Sequence, residues 1–340
     1  MLMLLGKYPY RFYRGATPVE KLTGRQSVAL GEFRQELGQG LFSFEEASCL
    51  CGQKEGMLIA KRDRYALSVE THLCKKCGIL WTSPRMTDES LRRFYERNYR
   101  AIYVGEETAS APFFADQAQH GQWILTYLAD FLTYSKGTVF DVGCGAGGVL
   151  EPFRAAGFEV HGCDHGAQYL EYGRSQGLGL EHGGAEVLAK YGKADLIILS
   201  HVLEHFSHPK RELEQLSALL KDDGYIFIVV PGIYNIHNAY KDTLLYLQNA
   251  HLYHYTLNTL TTLMSSAGFE LVRGNQTIDA VYKKARVRSQ SPSKYEYRKI
   301  LSYLIGVELS RMRIFNRLPA HVARIIGWTE KLRLSPLYGR

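Results

Sequence analysis

A glycine loop flanked by acids, a set of histidines and two pairs of cysteines are the residues here whose types and spacing suit chemistry. The loop is Asp141-Val142-Gly143-Cys144-Gly145-Ala146-Gly147-Gly148. Glycines let the backbone turn sharply and approach a ligand, and a following helix would offer free N–H donors. Gly143, Gly145 and Gly148 fit a dinucleotide-binding spacing. Asp164 ends the next apolar run, where an acid can bond both hydroxyls of a ribose. The histidines lie in His201-Val202-Leu203-Glu204-His205 and in Asn249-Ala250-His251-Leu252-Tyr253-His254-Tyr255-Thr256. A neutral imidazole is a suitable base near pH 7, which makes His201, His251 and His254 candidate bases. On a helix His205 would share a face with His201, and it is either a further catalytic candidate or a packing histidine. The first histidine segment formally matches the H-x-x-E-H zinc peptidase pattern, but that pattern must lie well inside a helix. Here it directly follows the strand-like run Leu196 to Ser200, which excludes the reading. Cys49-Leu50-Cys51-Gly52 and Cys74-Lys75-Lys76-Cys77-Gly78 form two knuckle-like pairs. Four thiolates suit a closed tetrahedral zinc site with no open position, so the expected zinc is structural. The first pair is C-x-C rather than C-x-x-C, and free buried cysteines are the alternative. Cys144 and Cys163 read as small core residues.

These groups need elements to hold them. From Gly137 onward apolar runs alternate with helical periodicity. Strands are expected over Thr138 to Asp141, Phe158 to Asp164, Asp195 to Ser200, Tyr225 to Val230 and Phe269 to Val272. Helices are expected over Lys210 to Leu220 and Thr259 to Ser266. That alternation predicts a doubly wound, mostly parallel α/β sheet, which binds ligands beyond the carboxyl ends of its strands. Upstream, Leu67 to Leu73 reads as a strand of a zinc ribbon. Thr87-Asp88-Glu89-Ser90 reads as a helix start, with Leu91, Phe94 and Tyr95 as its apolar face. Ala109 to Pro112 reads as a loop before a helix carrying Trp123, Tyr127, Leu128 and Phe131. Two amphipathic helices are expected at about Tyr297 to Phe315 and Ala320 to Leu334.

The chain has 340 residues, is 46% hydrophobic and carries a net charge of +7. From Gln276 to Arg340 there are 14 Lys/Arg against 4 Asp/Glu, and the remainder is 27 against 30. The basic character therefore belongs to the end of the chain, which could meet a membrane surface, a phosphorylated substrate or nucleic acid, or could be a solvated helical face. No apolar run is long enough for a bilayer span, and Met1 to Leu5 lacks the features of a signal peptide. A cytoplasmic location is expected, with peripheral contact at the inner membrane face through the tail.

Phe140-Asp141-Val142-Gly143-Cys144-Gly145-Ala146-Gly147 resembles the first motif of class I S-adenosylmethionine-dependent methyltransferases. The resemblance covers roughly residues 120 to 275, with further similarity upstream. In that family an acid two residues before the first glycine lies near the sulfonium and the amino-acid part of the cofactor. A tight pyrophosphate turn would gain nothing from such an acid, whose charge repels phosphate. The resemblance implies that Asp141, Gly143, Gly145 and Gly147 form the cofactor loop and that Asp164 binds ribose. It also implies that the Gly184-Ala185-Glu186 turn borders adenine. The family often has an acid at the position of Gly184, and Glu186 is the substitute here. It implies as well that Ser200 and His201 line the methyl-transfer site. Cys77-Gly78-Ile79-Leu80-Trp81 to Pro84-Arg85, followed by Phe94-Tyr95-Glu96, is similar to the amino-terminal module of zinc-bearing methyltransferases of sugar and glycan pathways. In sugar C-methyltransferases of the family an acid precedes the histidine that Ala250-His251 retains, so O-methylation fits better.

The expected organisation is residues 1–115 with a four-cysteine zinc module at about 45–100 (Cys49, Cys51, Cys74, Cys77), a Rossmann-like S-adenosylmethionine-binding domain at 116–290, and a basic helical tail at 291–340. The expected reaction is methyl transfer from S-adenosyl-L-methionine to a sugar or other small-molecule hydroxyl, in polysaccharide or glycan biosynthesis. The rivals are a sugar C-methyltransferase, a quinone or phenol O-methyltransferase, an RNA-modifying methyltransferase, a nicotinamide oxidoreductase and a non-catalytic binding protein. The core lacks a basic patch, which disfavours nucleic acid.

Overall fold

The computed structural model describes residues 8–132, 137–286 and 295–312, with side chains from residue 11. The amino-terminal part begins with helices Tyr8–Tyr13 and Gly24–Gly38, the second started by a Thr23/Gln26 capping box. It continues with β1 (Phe44–Glu45), β2 (Met57–Arg62), β3 (Ser68–Leu73), β4 (Leu80–Thr82) and β5 (Arg85–Met86). Strands β2, β3 and β4 pair as an antiparallel meander, and β1 pairs with β5. Thr87 caps helix Asp88–Arg97, as its sequence predicts, and helix Tyr99–Tyr103 follows. The next helix starts at Ala111, capped by Ser110, so Ala111 and Pro112 lie in its first turn rather than in a loop. Proline at the start of a helix loses no hydrogen bond, because that N–H has no partner there anyway.

The central sheet contains β6 (Thr138–Val142), β7 (Glu159–Asp164), β8 (Gly179–His182), β9 (Ala194–Ser200), β10 (Leu220–Val229), β12 (Phe269–Gly274) and β13 (Asp279–Lys284), with the two-residue β11 (Tyr253–His254) falling elsewhere. Its order is β12-β13-β10-β9-β6-β7-β8. Strands β10, β9, β6, β7 and β8 run parallel, and β13 is antiparallel to both neighbours. This is a Rossmann-like doubly wound sheet with an antiparallel strand toward one edge. Leu196, Ile197, Ile198 and Leu199 of β9 are all fully buried, as expected of a strand covered on both faces. Chain order reverses between β6 and β9, so their carboxyl ends open a crevice there.

β11 lies in the histidine-rich connection and pairs antiparallel with β4, Tyr253 opposite Trp81 and His254 opposite Leu80. The cysteine module and this connection thus share one four-stranded sheet. Thr82 N–H donates to the Leu252 carbonyl (3.0 Å), and the buried Arg85 reaches the Ser207 carbonyl (2.9 Å) and the Tyr253 hydroxyl (3.1 Å). Asp63, fully buried, accepts from Tyr65, Leu67 and Asn249 N–H groups.

The first expected tail helix is observed as Glu296–Arg311. It is not a free solvated face. Ile300, Leu304 and Val307 are buried against Phe12, Leu80, Ile236 and Leu244. Its buried Glu308 pairs with Arg11 and Arg311 at 2.9 Å each. The second expected helix, Ala320 to Leu334, lies outside the described residues.

Candidate active site

At the carboxyl ends of β6, β7 and β9 a cavity of about 430 Å³ opens. Gly143, Gly145, Asp164, Gly184, Ser200 and His201 line one side of it, and Tyr95, Tyr99, His205 and Phe206 line another. Most of the predicted cofactor residues therefore meet in one place. Gly143 has φ +74°, and a Cβ there would lie 2.5 Å from Val202 Cγ2. Gly148 stands under the helix Ala111–Tyr127, where a Cβ would lie 2.5 Å from the Phe114 carbonyl. Neither position admits a side chain without moving the loop. Gly147 turns behind the loop against Leu178 and Leu180.

Asp164 is fixed at the cavity wall by hydrogen bonds. Its Oδ2 accepts from Gly145 N–H at 2.8 Å and its Oδ1 from Gly166 N–H at 2.6 Å. Arg100 donates to Oδ2 at 3.3 Å and lies 4.4 Å over the Tyr169 ring. Asp141 sits beneath the loop, 2% exposed, and its Oδ2 has no hydrogen-bond partner. Burial, reinforced by the nearby Asp164 charge, pushes its carboxyl well above the ordinary range. An unpaired buried carboxyl directly under an open glycine loop fits a cationic ligand above it. Glu186 does not line the cavity; it is exposed and accepts from Gly184 N–H at 3.1 Å.

The histidines separate into two groups. His201 lines the cavity with its side chain 55% exposed, and Ser200 beside it hydrogen-bonds His120 at 3.1 Å. His201 has φ +57°, so the chain leaves β9 in a left-handed turn rather than a helix. Only the 3-10 turn Leu203–His205 follows, and the shared helical face expected for His201 and His205 is not formed. His205 still reaches the cavity, with its Nδ1 2.8 Å from the Ala250 carbonyl, to which it donates, and Tyr95 and Tyr99 edge-on to its ring. His251 and His254 are 4% and 2% exposed and lie behind the wall, outside the cavity lining. Burial lowers the pKa of both, His254 to about 4 and His251 well below its ordinary value, so both are neutral near pH 7.

Two residues of the site carry no sequence signal of their own. Arg100 belongs to no motif and becomes visible only because helix Tyr99–Tyr103 packs beside the glycine loop. Glu204 stands inside the segment His201 to His205, but its carboxylate turns inward, 1% exposed, between His201 and His251.

The four cysteines of the amino-terminal module converge. Sγ separations are 3.3 Å for Cys49–Cys77, 3.7 Å for Cys49–Cys51 and 3.5 Å for Cys51–Cys74. Each is far beyond a disulfide of about 2.05 Å. They approach the edge of a thiolate tetrahedron around zinc, about 3.8 Å for a Zn–S bond of about 2.3 Å. All four ligand atoms lie within 4.8 Å of one another. Glu204, His205 and His251 also bring one donor atom each within that distance. There, however, the Gln248 amide nitrogen already points at the His251 ring, its oxygen fixed by Arg64 at 2.7 Å.

Residues 116–273 match a family model described as a methyltransferase domain. That segment is similar to methyltransferase domains. It holds the glycine loop, Asp164 and Ser200-His201, while the cysteine module lies outside it. Among curated relatives, the ubiquinone biosynthesis O-methyltransferase of Chelativorans sp. is 32% identical over 97 residues, covering 26% of this chain and 38% of that protein. The C-methyltransferase NovU of Streptomyces niveus is 28% identical over 208 residues, covering 59% of this chain and 46% of that protein. The chain thus spans less than half the length of these relatives. Among solved structures, the magnesium protoporphyrin IX methyltransferase of Synechocystis PCC 6803 with bound SAH is 16% identical, with a TM-score of 0.43, covering 58% of this chain and 98% of that one. No helix among the described residues is long and apolar enough to cross a membrane.

Proposed function

We propose that this chain transfers a methyl group from S-adenosylmethionine to a hydroxyl of a small molecule, a sugar of a polysaccharide or glycan pathway being the preferred acceptor. The observation that carries the reading is one cavity that joins the glycine loop and Asp164 to His201 and His205. When bound, S-adenosylmethionine supplies an electrophilic methyl group on a cationic sulfur. Asp164 would hold the ribose, Gly143 and Gly145 would bring backbone close to the cofactor, and Gly184-Ala185 would border adenine. Asp141 beneath the loop would offset the sulfonium charge. His201 is the candidate base, because among the four candidate histidines it combines cavity access with a carboxylate behind its ring. It takes the acceptor proton while the walls align the reactants. Tyr95, Tyr99 and Phe206 offer aromatic faces, which suit a sugar ring and also a phenol or quinone precursor. Ala250 stands where C-methyltransferases of sugars carry an acid, which favours oxygen over carbon as the acceptor atom. The four cysteines would hold one structural zinc ion.

Titration calorimetry with S-adenosylmethionine tests the donor side. Wild-type protein is expected to bind, Asp164→Ala to bind at least about tenfold more weakly (about 1.4 kcal/mol), and His201→Gln to bind like wild type. Absence of heat from folded wild-type protein would refute the methyltransferase reading.

A further inference from the structure

Glu204 is a buried acid with no ordinary partner. Its residue is 1% exposed, and neither carboxylate oxygen accepts a hydrogen bond. Its backbone is fixed, since the Glu204 carbonyl accepts from Leu252 N–H at 2.9 Å. A carboxylate in such a place is unfavourable unless a positive charge offsets it. Two rings face its Oε1, His201 Nδ1 at 3.6 Å and His251 Nε2 at 3.7 Å. The two neighbours are not equivalent. His251 is sealed behind the wall, and the Gln248 amide already donates into its ring. His201 opens onto the cavity, and its left-handed backbone, tied to the Val229 carbonyl at 2.8 Å, sets the ring between the carboxylate and the cavity.

We infer that Glu204 is a positioning residue for His201: its carboxylate, 3.6 Å from Nδ1, holds the ring by charge, leaves Nε2 for the acceptor, and compensates the imidazolium formed when Nε2 takes the acceptor's proton. This inference rests on His201 serving as the base. Other charged or titratable groups face His201 as well. His120 approaches from the helix Ala111–Tyr127, Asp279 from β13, and His205 from the following turn. Loss of solvent lowers the His201 pKa, but Glu204, helped by Asp279, outweighs it and leaves His201 above its ordinary value.

The test is NMR titration of the histidine ring Cε1–H signals in the full chain, with His201 assigned through His201→Gln. The His201 midpoint is expected above about 6.5, the ordinary histidine value. It should fall by about one unit in Glu204→Gln, and Glu204→Asp should restore part of the shift. The same His201 midpoint in wild type and Glu204→Gln would overturn the inference. If Glu204→Gln does not fold, the wild-type titration decides, and a midpoint at or below 6.5 overturns it. Calorimetry with S-adenosylmethionine runs in parallel, and Glu204→Gln is expected to bind like wild type. A wild-type protein that shows the high midpoint but binds no S-adenosylmethionine refutes the methyltransferase reading, whereas one that binds but lacks the coupling refutes only the role of Glu204.

Discussion

At the scale of residues, the donor side of the site contains a conflict between stability and function. Asp141 keeps an unpaired carboxyl 2% exposed under the glycine loop. Its pKa is raised, so the folded ligand-free protein holds this proton more tightly than the unfolded chain does. Stability is therefore greatest in acid and falls as pH rises from the ordinary carboxyl range through the raised folded value. Asp141→Asn should remove that loss. We expect the variant to be more stable at pH 7 by about 1–3 kcal/mol in urea melts, with a difference that shrinks toward pH 4, and to bind S-adenosylmethionine more weakly in calorimetry. A variant less stable than wild type at neutral pH would show that Asp141 is paired after all. Asp141 was legible from its place two residues before Gly143, because strand-end chemistry is written locally. Glu204 was not, since its partners are set by how the turn after β9 folds inward, and no spacing rule encodes an approach of 3.6 Å.

At the scale of elements, the buried strands were readable because continuous apolar runs leave few alternatives. β8 was not, being four residues, Gly179-Leu180-Glu181-His182, with one buried side chain. β13 was hidden in a charged stretch, although Ala280, Val281 and Tyr282 are buried. β11 escaped because its partner β4 is remote in sequence, and two residues carry no periodicity. This pairing ties the cysteine module to the histidine-rich connection, and under the proposed function the module would support the acceptor side. Helix Asp88–Arg97 and Arg100 follow the module directly and line the cavity. We expect native mass spectrometry to find one zinc ion per chain. Cys77→Ser, or treatment with a strong chelator, should unfold the module, since structural zinc supplies about 10–16 kcal/mol in small sites. Cofactor binding should weaken as well. Metal-free protein with an unchanged melt and unchanged binding would rule out this support.

At the scale of the whole molecule, the described end of the chain belongs to the body. Deleting 297–340 would strip Ile300, Leu304 and Val307 from a packed interface, and each such loss costs about 2–5 kcal/mol. Deleting 313–340 spares that interface and removes the basic end selectively. The shorter deletion should abolish flotation with anionic liposomes if the basic end docks on membranes; flotation that persists would refute that role. The β4–β11 contact also has a consequence for how the chain is made. Residues 80–82 leave the ribosome long before Tyr253 and His254, with the whole cofactor loop synthesised in between. Until then the outer edge of β4 carries unpaired backbone groups, and such an edge invites pairing with another chain. Nascent chains that stall within residues 116–252 are thus the ones most exposed to aggregation, or to lending their β11 to a neighbour's β4 once synthesis resumes.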